Sequence, residues 1–328
     1  MRRRDFVTLI AGSAVAAWPL AGRAQQMAEP VVGFLSGRSA EDSVRVLAAF
    51  RQGLAETGYV EGRNVVIEFS WAQGQYDRLP ALATQLVRRQ VAVLATVGGQ
   101  QSARAAKAAT NTIPIIFGIG EDPVDEGLVA SVSRPDANIT GATFSTSLLG
   151  AKRLGLLRDL VPGADVIALL VNPNGTPGQR QTRDVQEAAR GLGQRLVVLN
   201  GGSDESIEAS FAALTQQHVG ALLVGSDPFF DVRRDRLVAL AAQHRVPAIY
   251  QFREYVLAGG LMSYGASITD MYRQVGLYVG RILKGEKTTD LPVMQPTKFE
   301  LVINLKTANT IGIKLTDNLL SLADEVIE

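Results

Sequence analysis

After Pro30 the chain repeats one pattern twice: a short apolar run that ends in small residues, followed by a longer run with apolar positions at helical spacing. In the first half, strands are predicted over 31–36 (VVGFLS), 64–71, 91–96 and 113–118, with helices over 44–57, 76–89 and 100–110 between them. Val44, Leu47, Phe50 and Leu54 form the apolar stripe of the first helix, which stops at Gly58. A second set follows a segment at 138–144: helices over 148–160, 179–192, 205–217 and 232–244 and strands over 165–172, 195–200, 221–225, 247–251 and 260–264. Such βαβ alternation predicts α/β architecture, in which parallel sheets carry helices on both faces. Two halves of about 115 residues each imply two doubly wound lobes.

The tail bears on how the lobes are joined. Residues 270–284 form an amphipathic helix with Tyr272, Val275, Val279 and Ile282 on one stripe, and 299–305 (FELVINL) read as one more strand. If that helix returns to the first lobe and the strand to the second, the chain crosses three times, near 143–145, 264–267 and 293–298. The first lobe would then comprise 30–143 with 266–294, and the second 144–265 with 295–328. Several short crossings make a hinge over a cleft.

Residues 1–26 read as a secretory signal peptide. Arg2, Arg3 and Arg4 form a cationic head, the apolar stretch 7–20 is too short for a stable membrane anchor, and Gly22 and Ala24 are the small residues that precede cleavage. Arg3-Arg4-Asp5-Phe6-Val7 resembles the twin-arginine export motif, the ordinary Sec route being the alternative. A periplasmic location follows, with cleavage near Ala24. Removal of residues 1–24 takes four of the 33 basic and one of the 32 acidic residues, leaving a net charge of about −2. No Lys/Arg block remains to bind nucleic acid or an anionic membrane. The absence of cysteine excludes disulfides, thiolate nucleophiles and a lipid anchor on an N-terminal Cys. No apolar stripe is left over once the lobes are assigned, so a monomer is expected.

Ligands of doubly wound sheets sit beyond the carboxyl ends of the strands, where loop amides and helix N-termini point at them. In the first half those positions are Ser36, Gly37, Arg38 and Ser39; Gly99, Gln100, Gln101 and Ser102; and Gly120, Asp122 and Pro123. In the second half they are Asn172 and Asn174, Asp227 and Phe229, Tyr250 and Arg253, and Tyr264 at the crossing. Helix-start donors at 99–102 with Arg38 or Arg253 suit a carboxylate, and Asp122 or Asp227 suits an ammonium. Phe229, Phe252 and Tyr250 offer flat apolar walls. Each of these segments equally reads as a capping turn or a core aromatic.

Catalytic patterns are weak. His218 and His244 are the only histidines, and both lie late in helices, opposite the ligand edge. The residues 33–37 (GFLSG) lack the spacing of a nucleophile elbow, Gly118-Ile119-Gly120 lacks the third glycine of a dinucleotide fingerprint, and no metal-spaced cluster occurs. No cofactor is expected.

The segments VVGFLSGRS, GYVEGRNVVIEFSWAQGQYDRLPALA, DPVDEGLVASVSRPDANITG, GGLMSYG and ILKGEKTTDLPVMQPTKFELVIN resemble ABC-transporter substrate-binding proteins of the TrpX-like family. The resemblance covers nearly all of the mature chain. It implies a type I periplasmic binding-protein fold, two lobes with three crossovers closing on a small ligand, and no catalysis. The implied partners are a membrane permease and its ATPase. The resemblance transfers pocket neighbourhoods at 36–39, 98–102, 120–123, 172–174, 227–230 and 263–265. The expected ligand is a small carboxylated compound, aromatic or amino-acid-like. A sensory module for a signalling partner, or an exported enzyme on the same fold, remains the alternative.

Overall fold

The structure, a computed structural model, describes residues 29–135, 137–144 and 146–328. The export segment expected at 1–26 and Ser145 of the first crossing lie outside the described residues. The first sheet comprises β1 (Val31–Ser36), β2 (Val66–Trp71), β3 (Val93–Val97), β4 (Ile115–Ile119) and β5 (Ile139–Thr143); α1 (Val44–Glu56), α2 (Leu79–Arg88) and α3 (Gln100–Ala109) separate the first four strands. The second lobe runs α4 (Gly150–Leu160), β6 (Val166–Val171), α5 (Thr176–Gly191), β7 (Arg195–Asn200), α6 (Asp204–Gln216) and β8 (Ala221–Val224). It continues through α7 (Pro228–Asp231), α8 (Arg234–Gln243), β9 (Ala248–Tyr250), α9 (Arg253–Leu257) and β10 (Met262–Gly265). The tail adds α10 (Ile268–Leu283), β11 (Glu300–Asn304), α11 (Leu305–Ile311), α12 (Asp317–Leu322) and β12 (Glu325–Ile327).

The strand orders are β2-β1-β3-β4-β5 and β12-β11-β10-β9-β8-β6-β7. Every pair is parallel except β10 with β11, where Met262 faces Ile303 in antiparallel register. Strands β3, β4, β6 and β8 are buried along their whole length because helices cover both faces, which is why they read as unbroken apolar runs.

Element ends moved where side chains compete for the backbone. The second strand starts at Val66 rather than 64, since Asn64 accepts the Val60 N–H at 2.7 Å and donates to the Gly58 carbonyl at 2.9 Å. Asp227 starts a separate short turn, α7, so the helix expected from 232 begins at Arg234. Asn304 ends β11 by capping α11, accepting the Thr307 N–H at 2.9 Å. Val44, expected on the buried stripe of α1, is 66% exposed, and the stripe is Val46, Leu47, Phe50 and Leu54.

Helix α10 crosses back to the first sheet, where it packs along α1 and against β3, β4 and β5, while β11 joins the second sheet. Tyr272, Val275, Val279 and Ile282 are all buried there. The third crossing is laid beside the first: Met294 N–H donates to the Gly141 carbonyl at 2.9 Å, and Thr143 N–H donates to the Met294 carbonyl at 2.8 Å. The lobes are therefore joined by a three-segment hinge.

Candidate functional site

The carboxyl ends of β1, β3 and β4 face those of β6, β8 and β9 across the gap between the lobes, and the side chains there interlock. Arg38, after β1, lies 3.5 Å from Asp231 of α7. Tyr76, after β2, donates to Asp227 Oδ1 at 3.3 Å. The Phe144 ring meets that of Phe252 edge-on at 5.4 Å. These contacts hold the lobes closed.

On the first lobe, Gly98 and Gly99 have φ of +70° and +112°, values that admit glycine and turn the chain sharply into α3. A Cβ on Gly37 would lie 2.3 Å from the Gly98 carbonyl oxygen, so the β1 and β3 loops touch backbone to backbone. This turn buries Gln100 and Ser102 completely beside Thr96. The Thr96 hydroxyl, both polar atoms of the Gln100 amide, the Ser102 hydroxyl and Gln101 Oε1 have no hydrogen-bond partner among the described residues. Ser36 is spent on the Arg38 N–H, at 3.1 Å.

The acid of the β4 loop is Glu121 rather than Asp122. Asp122 is half-buried and accepts the N–H groups of Val124 at 2.8 Å and Asp125 at 3.3 Å, forming a turn beside the buried Pro123. Glu121 is 8% exposed and accepts the Gly120 N–H at 3.2 Å. Burial, with the Glu126 and Asp227 charges nearby, pushes its carboxyl up to about 8.

On the second lobe Asp227 caps α7 through the Phe229 N–H at 2.8 Å and accepts Asn172 Nδ2 at 3.2 Å, while its Oδ2 has no partner among the described residues. Burial raises it to about 6 against those hydrogen bonds. Asp231 is also raised to about 6 by burial, partly offset by Arg38 and by hydrogen bonds from Gln251 and Tyr255. Arg153 of α4 is fully buried and donates to Ser226 Oγ at 2.8 Å; burial lowers its guanidinium to about 10, still protonated at neutral pH. Gln181 accepts the Ser226 N–H at 2.9 Å. Its Nε2, Gln251 Oε1 and Ser263 Oγ lack partners among the described residues.

Other expected residues stand apart. Arg253 is engaged by Glu300 at 3.3 Å and Glu325 at 2.7 Å on the β11–β12 edge. Phe229 lies in the lobe core beneath the Arg233 guanidinium, 3.6 Å from its ring centroid. Tyr250 is buried and stacked on Tyr255 at 4.6 Å. Tyr264 is half-buried against Phe299. Ser39 is half-buried and Asn174 exposed, Asn174 reaching the Gly202 carbonyl at 3.4 Å. Sequence reasoning missed Tyr76, Arg153, Gln181 and Asp231; Glu121 fell inside the expected 120–123 neighbourhood, where Asp122 was singled out in its place. His218, with φ of +51°, and His244 end helices on the far edge, and no metal-binding cluster occurs among the described residues.

The chain is 24% identical over 265 residues to the tyrosine-binding protein of Clostridioides difficile (strain R20291), covering 81% of this chain and 76% of that protein. Its fold is similar to that of an ABC domain from Streptococcus pneumonia solved with L-Trp, with TM-score 0.81, 24% identity, and 91% and 100% of the two chains covered. It is also similar to the ligand-free, open structure of a substrate-binding protein with adhesive properties from Clostridium difficile, with TM-score 0.65, 22% identity, and coverage of 91% and 99%. The two hinged lobes are those of a type I periplasmic binding protein. Residues 31–327 match the family model of the ABC transporter substrate binding proteins, and the chain belongs to that family.

Proposed function

We propose that this protein is an exported receptor of an ABC importer, which captures a small amino-acid-like compound with an aromatic side chain between its lobes and delivers it to a permease driven by an ATPase. The observation that carries this reading is a pair of buried acceptors without partners among the described residues at the interlobe cavity, Asp227 Oδ2 and Gln251 Oε1, with further unpartnered polar atoms of Thr96, Gln100 and Ser102 along β3 and the turn into α3. Such groups are costly to leave unpaired, about 1–3 kcal/mol each, and a polar ligand satisfies them. Arg153 supplies buried positive charge for a carboxylate; Phe144 and Phe252 supply apolar walls. The ligand class rests on the relatives, one named for tyrosine and one solved with L-Trp.

Besides wider, open cavities of about 270 and 350 Å³ lined by both lobes, there is one at the strand ends, lined by Gly120, Glu121, Asp227 and Asp231, of about 20 Å³, room for about one water. Ligand access therefore requires the lobes to part at the three crossings. Nothing in this cycle needs catalysis, a cofactor or a second protomer, and we place the receptor in the periplasm after removal of its signal segment.

The test is a thermal-shift screen of the mature protein against aromatic amino acids and aromatic acids. A ligand at 100 times its Kd should add about 2.7 kcal/mol of stability. No shift with any of them, together with unchanged small-angle scattering, would overturn the ligand class.

A further inference from the structure

Pockets for small ligands are on the order of 300 Å³ or larger. The cavity at the strand ends has about 20 Å³. A cavity of about 320 Å³ lies beside it at the hinge, walled by residues of all three crossings and by the first two turns of α10. Among the described residues Phe144 alone lines both. Its backbone is pinned, the N–H donating to the Ile119 carbonyl at 3.0 Å, while its ring is only half-buried, edge-on to Phe252 at 5.4 Å. Such a ring can change rotamer without disturbing the sheet. Phe252 stands in the same way between the strand-end cavity and the open one of about 270 Å³, but it is 3% exposed. That open cavity is lined by Arg38, Arg45 and Arg234 with Glu41, Asp42 and Asp235, charges that an uncharged ring would desolvate. The hinge cavity is walled by Ala142, Phe144, Ala266, Met271, Met294 and Pro296. Its charged residues are already engaged: Asp270 with Arg273 at 3.1 Å, Glu300 with Arg253 at 3.3 Å and Lys298 with Asp324 at 3.8 Å. The flexible thioethers of Met271 and Met294 can repack around an aromatic ring, and Gln274 brings an amide for a phenol hydroxyl or an indole N–H.

We propose that the hinge cavity receives the aromatic side chain of the ligand, and that Phe144 is the partition that turns aside to admit it and so sets how large that side chain can be. This rests on the receptor reading above and adds where the ring goes. With the Phe144 ring turned along the wall of the hinge cavity, the two cavities become continuous. The polar end of the ligand then stays beside Asp227 and Gln251 while its ring lies among the crossings. Those crossings, at 142–144, 266–267 and 294–298, move relative to one another as the lobes part. A ring seated among them binds the closed arrangement in preference to the open one, and that difference in affinity drives closure.

The experiment follows the methionine methyl groups of the mature chain by NMR. Met271 and Met294 line the hinge cavity, and Met262, fully buried in the core of the second lobe, is the internal reference. Nuclear Overhauser contacts are expected from the ring protons of L-tyrosine and L-tryptophan to the Met271 and Met294 methyls and not to that of Met262. Binding seen by calorimetry without contacts to either cavity methionine would overturn the proposal. Phe144→Ala and the milder Phe144→Leu thin the partition and should move the ratio of tryptophan to tyrosine affinity by about tenfold toward tryptophan. An unchanged ratio in both variants refutes the role of Phe144. If neither amino acid binds, the ligand class proposed above fails, and 4-methylphenol and indole, the ring fragments alone, decide the subsite. Contacts from them to the same two methyls support it, and contacts to neither refute it.

Discussion

Asp227 accepts the Phe229 N–H at the start of α7, receives Tyr76 from the other lobe and keeps one oxygen on the cavity, so charge, cap and latch meet in one side chain. Two substitutions separate them. Asp227→Asn keeps an N-cap acceptor and is expected to change stability by less than about 1 kcal/mol, while ligand affinity falls because the charge is gone. Asp227→Ala removes the cap as well, and its denaturant midpoint should fall by the equivalent of about 1–2 kcal/mol. Equal unfolding midpoints for the two variants would deny Asp227 its capping role. The acid itself was legible at a strand's carboxyl end. That Glu121 rather than its neighbour Asp122 joins it at the cavity was not, because adjacent residues in a loop take opposite environments through backbone angles that spacing does not reveal. Arg153 was hidden for a related reason: a cation in a helix far from the expected loops gives no sign that it will be fully buried beneath another loop.

Helix α10 is the element that makes two lobes into one hinged molecule. It lies unusually close to α1: a Cβ on Gly276 would sit 2.1 Å from the Phe50 carbonyl oxygen, and one on Gly53 would sit 1.9 Å from that of Arg273. Gly276→Ala should therefore destabilise by a net amount of about 1–2 kcal/mol, since overpacking outweighs the helical preference of alanine. Chemical denaturation measures the loss, and ligand affinity should be unchanged because the site lies elsewhere; a stabilised variant would mean that the helices separate at little cost. The stripe of α10 was readable from its 3.6-residue period. The same period misassigned Val44, because a first-turn residue can satisfy the spacing yet project past the end of the sheet. Helix α12 and strand β12 went unread: six and three residues are too few for a period to declare itself.

At the scale of the whole molecule, the closed state is held across the gap by Tyr76–Asp227 and Arg38–Asp231. Tyr76→Phe removes one hydrogen bond worth about 0.5–1.5 kcal/mol and should lower the closed population and the apparent ligand affinity by about two- to tenfold. Unchanged affinity, with unchanged interlobe distances between lobe-specific labels, would show that the contact contributes nothing to closure. Arg38 is the more severe position, since removing it strands Asp231 as a buried charge.

The sequence by itself determined the two α/β lobes, their largely parallel sheets and the loop ends at which a ligand would sit, whereas the return of the tail was settled by the packing of α10 on the first sheet. Strand and helix periods and small residues at strand ends act over a few neighbours, and local chemistry can be read in order along the chain. Only the tertiary structure decided which of those loops face one another, that Glu121 rather than Asp122 enters the cavity, that Arg253 is engaged at the sheet edge, and that Arg153 and Tyr76 belong to the site. The physical reason is separation: Tyr76 and Asp227 stand 151 residues apart and Arg38 and Asp231 193 apart, and their meeting follows from the angle between two packed lobes rather than from any pattern in the chain.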